Sequence, residues 1–143
     1  MTNKLILFTS ILVIIAIFGC EKSSDRDETG EVGIWQVYKV EAKTTSGGVS
    51  QVNVDTAATG TFVFKEDGSG EAHVDFHNAS GIPHLYSHTF TYTRQGNQLE
   101  LLINGGSAET WEIFEETASA LGIFWTDMPT PTVETQLKFY MTK

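Results

Sequence analysis

Residues 33–143 predict an all-β fold, an up-and-down antiparallel β-barrel of about eight strands. Two observations carry that expectation. Short runs rich in aromatic and β-branched residues recur at spacings of about ten residues, and Gly, Asn, Asp and Ser clusters separate them. Within most of these runs apolar residues fall two apart, the period of a strand with one buried face, and no long helical period intervenes.

Strands are expected at residues 34–42, 61–65, 70–77, 85–93, 98–103, 110–114, 118–125 and 135–141, with a further one at 49–54. "KEDGSG", "RQGNQ" and "NGGSA" read as hairpin turns, because Gly and Asn reach positive φ at little cost. "TDMPTPTVE", with two of the three prolines, is expected outside the sheet. Alternation assigns the inward face: Trp35 and Val37; Phe62 and Phe64; Ala72, Val74 and Phe76; Phe90 and Tyr92; Leu99, Leu101 and Ile103. Trp111 and Ile113, Leu121, Ile123 and Trp125, and Leu137, Phe139 and Met141 complete it. Closing such a meander covers both its apolar face and its edges, which makes the first and last strands neighbours.

"GIWQVYKVE" at the start of this domain resembles the Gly-x-Trp first strand of lipocalin-like domains. "TFVFKEDGSGEA", "YTRQGNQLELLI", "ETWEIFEETASALGIF" and "TQLKFYM" follow in the order seen in short lipocalin-like lipoproteins of Bacteroidetes type. The resemblance implies an up-and-down barrel outside the cytoplasm. For larger lipocalins it implies a small apolar ligand held in the barrel.

The preceding residues concern location. One basic residue, Lys4, precedes an uncharged, mostly apolar run from Leu5 to Phe18, the layout of a secretory leader. An uncleaved membrane anchor is the alternative, but a spanning helix needs ~20 apolar residues and this run is shorter. The run ends in "IFGC", which resembles the lipobox of bacterial lipoproteins, with Ile17 and Phe18 departing from the commonest residues and Gly19 fitting. That resemblance implies cleavage before Cys20, diacylglycerol on its thiol and anchoring in a cell envelope, the outer membrane or its surface. Cys20 is the only cysteine, so no internal disulfide competes for it. The expected organisation is a leader at 1–19, an acidic tether at 20–32 and a barrel at 33–143. The tether's acidity also resembles a surface-export signal; a merely solvated linker reads the same way.

Without Lys4 the chain has eight basic and eighteen acidic side chains, a formal charge of −10. Such a balance speaks against nucleic acid and against anionic head groups as partners. No nucleophile elbow, zinc-protease motif or phosphate-cradling loop occurs, so neither an enzyme nor a cofactor is expected. "DTA" at 55–57 matches a short Bacteroidetes O-glycosylation tripeptide with Thr56 as acceptor.

An eight-stranded barrel is either filled by its side chains or holds one small molecule. The many inward rings favour filling. Should a ligand bind, strand direction points to an open mouth lined by Trp35, Tyr86, His88 and Trp111. All four histidines lie in "HVDFHNASGIPHLYSH", where His73/His77 and His84/His88 each read H-x-x-x-H. On a strand four residues span ~13 Å, too far for two ligands of one zinc. Pairing His77 with His84 would gather the histidines on one polar face but turn Phe90 and Tyr92 outward. Pairing Phe76 with Tyr86 keeps the rings inside and is the expected register, leaving His73 and His77 as independent surface imidazoles and no metal site.

Overall fold

The computed structural model describes residues 30–143. The leader, Cys20 and the tether up to residue 29 lie outside the described residues. Nine strands follow: β1 (Gly33–Ser46), β2 (Val49–Asp55), β3 (Thr59–Phe64), β4 (Ser69–His77), β5 (Pro83–Gln95), β6 (Gln98–Ile103), β7 (Ala108–Glu116), β8 (Ala120–Thr130) and β9 (Val133–Thr142). Each pairs antiparallel with its neighbours, and β1 pairs with β9 from Gln36↔Thr142 to Ser46↔Val133, which closes the barrel.

Nine strands make an eight-stranded wall because β2 and β3 run end to end along the same edge of β1. Val40 opposes Asp55 on β2, and Gln36 opposes Thr61 on β3. Between them the strand breaks at an Asx turn, with Ala57 N–H donating to Asp55 Oδ1 at 2.8 Å.

The inward residues expected from alternation are inward. Trp35, Phe62, Val74, Leu99, Trp111, Ile123 and Phe139 are fully buried, and Tyr92, Ile103 and Trp125 pack half-buried against them. Alternation missed Val40 and Ala42 because β1 carries a bulge between Val37 and Lys39. Tyr38 and Lys39 both turn outward there, and the buried face resumes at Val40. Gly70 leaves room for Phe90: a Cβ on it would lie 2.3 Å from the Phe90 ring.

Three expectations are corrected. Pairing of β4 with β5 keeps the expected parity but slips by two residues, so that Phe76 faces His84 and Val74 faces Tyr86. The slip tightens the connection to Asn78–Ile82, which Asn78 ties together by accepting from Ser80 N–H and Ile82 N–H. "TDMPTPTVE" is not outside the sheet, since β8 runs to Thr130 and β9 begins at Val133. Pro129 is tolerated there because it falls in a pairing irregularity between Asp127 and Thr130, beyond the end of the β7 pairing at Trp125. Glu31, assigned by composition to the solvated tether, is 1% exposed beneath the barrel.

Candidate functional site

The closed end is made by the chain's entry. Trp35 Nε1 donates to Glu31 O at 2.6 Å, and Lys143 Nζ sits 4.6 Å from the centre of the Trp35 ring. Arg94 on β5 donates to the buried Glu31 carboxylate and, through both terminal nitrogens, to Glu116 on β7 at 2.7 Å. The Arg94 guanidinium holds the Glu116 carboxyl below its ordinary range, and Glu116 in turn pushes the Arg94 value up. Above this seal Phe64, Phe90 and Tyr92 pack ring to ring at 5.2–6.3 Å between centroids.

Toward the other end Phe62 lies within 5.1–6.1 Å of Tyr86, Trp111 and Phe139. These rings fill the centre of the barrel. Trp125 stacks on Trp111 at 6.0 Å and is half-buried at the rim. Glu109, two residues before Trp111 on the same face of β7, accepts from Trp111 Nε1 at 3.0 Å. Tyr86 is 7% exposed, and its hydroxyl is buried without a hydrogen-bond partner among the described residues. Burial, then the nearby Glu109 charge, raises the value at which that hydroxyl would ionise.

Of the four residues expected at the mouth, Tyr86 and Trp111 meet, with ring centroids 5.8 Å apart, but both are buried and Trp111 lies wholly in the core beneath the rim. His88 flanks them, 4.5 Å from the Tyr86 ring, with Nδ1 3.1 Å from Asn104 Nδ2. Trp35 is a correction: it is 0% exposed at the closed end, because the first strand starts there and only its far half reaches the mouth. Sequence reasoning missed Glu109 and Trp125 as rim residues. The signal was present, since Glu109 continues the Trp111/Ile113 alternation outward along β7.

The histidines disperse. His73 bonds Ser87 Oγ at 3.2 Å, and His84 packs edge-on to Phe76 at 5.2 Å. His77 is not the independent imidazole expected: its backbone N–H and Nδ1 both reach Asp55 Oδ2 at 2.7 Å, tying β4 to the break between β2 and β3. Those bonds, the side-chain one foremost, hold the Asp55 carboxyl below its ordinary range. Among the described residues no three metal-ligating side chains gather. Thr56 is exposed beside Asp55. A groove of about 310 Å³ on the outer wall runs past Asp55, Asp75 and His77, and one of about 350 Å³ past Glu71, His73 and Asn104; both are open to solvent and lie outside the barrel.

A closed antiparallel barrel, sealed at one end around a tryptophan of its first strand, is the arrangement of the lipocalin-like class. The chain belongs to that family, whose description as a lipocalin-like domain matches residues 32–123. No curated protein matches it. Among solved structures it is similar to a dog lipocalin allergen, at 12% identity over 79% of this chain and 73% of that one, with a TM-score of 0.48. A deswapped triple mutant of bovine odorant binding protein aligns at 11% identity over 78% and 72%, with a TM-score of 0.47. A lipocalin-like protein from Bacteroides uniformis aligns at 13% over 76% and 97%, with a TM-score of 0.38.

Proposed function

We propose that this protein is a non-catalytic binding module of the cell envelope, lipid-anchored at Cys20 to the outer membrane, which takes a small, largely apolar molecule at the barrel mouth. The observation that carries the binding reading is the Tyr86 hydroxyl. A buried hydroxyl left unpaired costs ~1 to 3 kcal/mol, and a ligand with one hydrogen-bonding group would recover it. Because the rings below fill the barrel, such a ligand sits on the core, against Tyr86 and Trp125, not within it.

Anchoring is supported by the leader layout, "IFGC" and the lone cysteine. The chain enters the domain at the closed end, at Glu31 and Trp35, and that entry is compatible with an anchor on that side. Exposure of Thr56 is compatible with glycosylation in "DTA".

Native mass spectrometry of the full chain purified from its source tests the binding reading. A copurified small molecule that is lost in Tyr86→Phe is expected; an empty wild-type protein would favour the second reading, a ligand-free scaffold, which the filled interior supports. For the anchor, Cys20→Ser should leave the membrane fraction, and wild-type protein should carry an acyl mass. Retention of the mutant together with an unmodified wild type would defeat it.

A further inference from the structure

The charges at the mouth are one-sided. Six Lys and Arg residues occur among the described ones, and none lines it. Lys39, Lys43 and Lys138 lie on the outer face shared by Glu41. Lys65 follows β3 at the closed end, where Arg94 and Lys143 also sit. On the inner side of the rim stand Glu109 and, on β8 two residues beyond Trp125, Asp127. One Glu109 oxygen is engaged by the Trp111 indole N–H, which fixes the carboxylate over the aromatic core. Across the Trp111 ring from it lies the Tyr86 hydroxyl, on a residue 7% exposed, which has no acceptor or donor among the described residues.

Carboxylates without an opposing cation, set against indole and phenol rings, form an environment that attracts positive charge twice over. The carboxylate does so by Coulomb interaction in a partly desolvated site. The ring faces do so through their quadrupoles, as in the aromatic cages that recognise ammonium groups. An anionic ligand would meet repulsion there, and a wholly apolar one would leave the Tyr86 hydroxyl unpaired.

We propose, resting on the mouth as the ligand site, that it recognises a protonated amine: a small organic cation whose ammonium group donates to Glu109 and to the Tyr86 oxygen while its apolar part lies on Trp125. The half-buried rings of His88 and Trp125 flank Tyr86 and Trp111 and are the ones such a ligand would displace. The central rings stay in place.

Three phenylethyl probes of similar size and different charge test this on the full chain: 2-phenylethylamine, 2-phenylethanol and 3-phenylpropionate, titrated calorimetrically at low salt. The amine should bind at least ~tenfold more tightly than the alcohol, the carboxylate least, and added salt should narrow the amine-to-alcohol ratio. Glu109→Gln should bring that ratio close to one, whereas Glu71→Gln, on the outer wall, should leave it unchanged. Equal affinity for amine and alcohol, a preference for the carboxylate, or an amine preference that persists in Glu109→Gln would overturn the inference and leave the mouth-binding reading standing. Failure of all three probes to bind would count against both.

Discussion

At the closed end a guanidinium and two carboxylates satisfy one another and an indole N–H ends on a backbone carbonyl; at the mouth an indole N–H meets a carboxylate, but a buried hydroxyl near them is left over among the described residues. Both ends use a Trp on a strand and a carboxylate nearby. They differ in what is complete. The Glu31 side chain, almost without exposure, is neutralised by Arg94, and the Trp35 N–H ends on a backbone carbonyl. Among the described residues Glu109 has no cation as a partner, and the Tyr86 hydroxyl has no hydrogen-bond partner. Buried polar groups in native folds are paired in the large majority, so the Tyr86 hydroxyl is the exception at this end that calls for an explanation.

The comparison is broken most violently at Trp35. Trp35→Ala removes a ring that is 0% exposed and should cost ~3 to 5 kcal/mol, enough to unfold much of a domain this size. Trp125→Ala, at the half-buried rim, should cost about 1 kcal/mol. Paired urea melts check both; equal losses would mean that the rim is as much a part of the core as the seal.

Arg94→Met ranks next, because it strands Glu31 without a counter-charge. A loss of about 3 kcal/mol is expected, and Glu31→Gln in the same chain should restore part of it. Acid gives a related test. Glu116 has a folded value lower than its unfolded one, ~4.3, so its contribution is complete above that pH and disappears as the pH falls through the depressed folded value. In Arg94→Met the acid limb of a stability-versus-pH curve should therefore flatten.

The smallest effect has the opposite sign. Tyr86→Phe deletes a hydroxyl that bonds to nothing in the protein and keeps the ring that packs on Phe62, so the variant should be more stable by ~1 kcal/mol at unchanged m. A loss of stability would show that the hydroxyl is satisfied after all, and with it the contrast between the ends would fall.

The barrel was legible in the sequence because its face pattern is local: Phe62/Phe64, Ala72/Val74/Phe76 and Leu99/Leu101 declare their inner side by alternation alone. Register was less so. The same parity admits slips of two residues, and the Asn78 turn that selects Phe76↔His84 works through side-chain bonds that alternation does not encode. Composition misassigned Glu31, since a charged residue among charged neighbours reads as solvated until Arg94, 63 positions away, is brought beneath it. "TDMPTPTVE" misled for a related reason: proline is ordinarily kept out of a paired strand, and only the tertiary structure shows that β8 has left β7 behind by Pro129. At the mouth, Tyr86 and Trp111 could be chosen by direction, while Glu109 required knowing which end of β7 is open.

The burial of Glu31 also has a mechanical side. Tension on the chain ahead of Gly30 enters at a residue held by Arg94 on β5, whose other carboxylate partner is Glu116 on β7, so the load spreads across the barrel before it reaches β1. The start of β1 is itself gripped by β3 from Gly33 to Gln36 and by β9 from Gln36 onward. A pull from the N-terminal side would therefore load these pairings together instead of peeling one strand away.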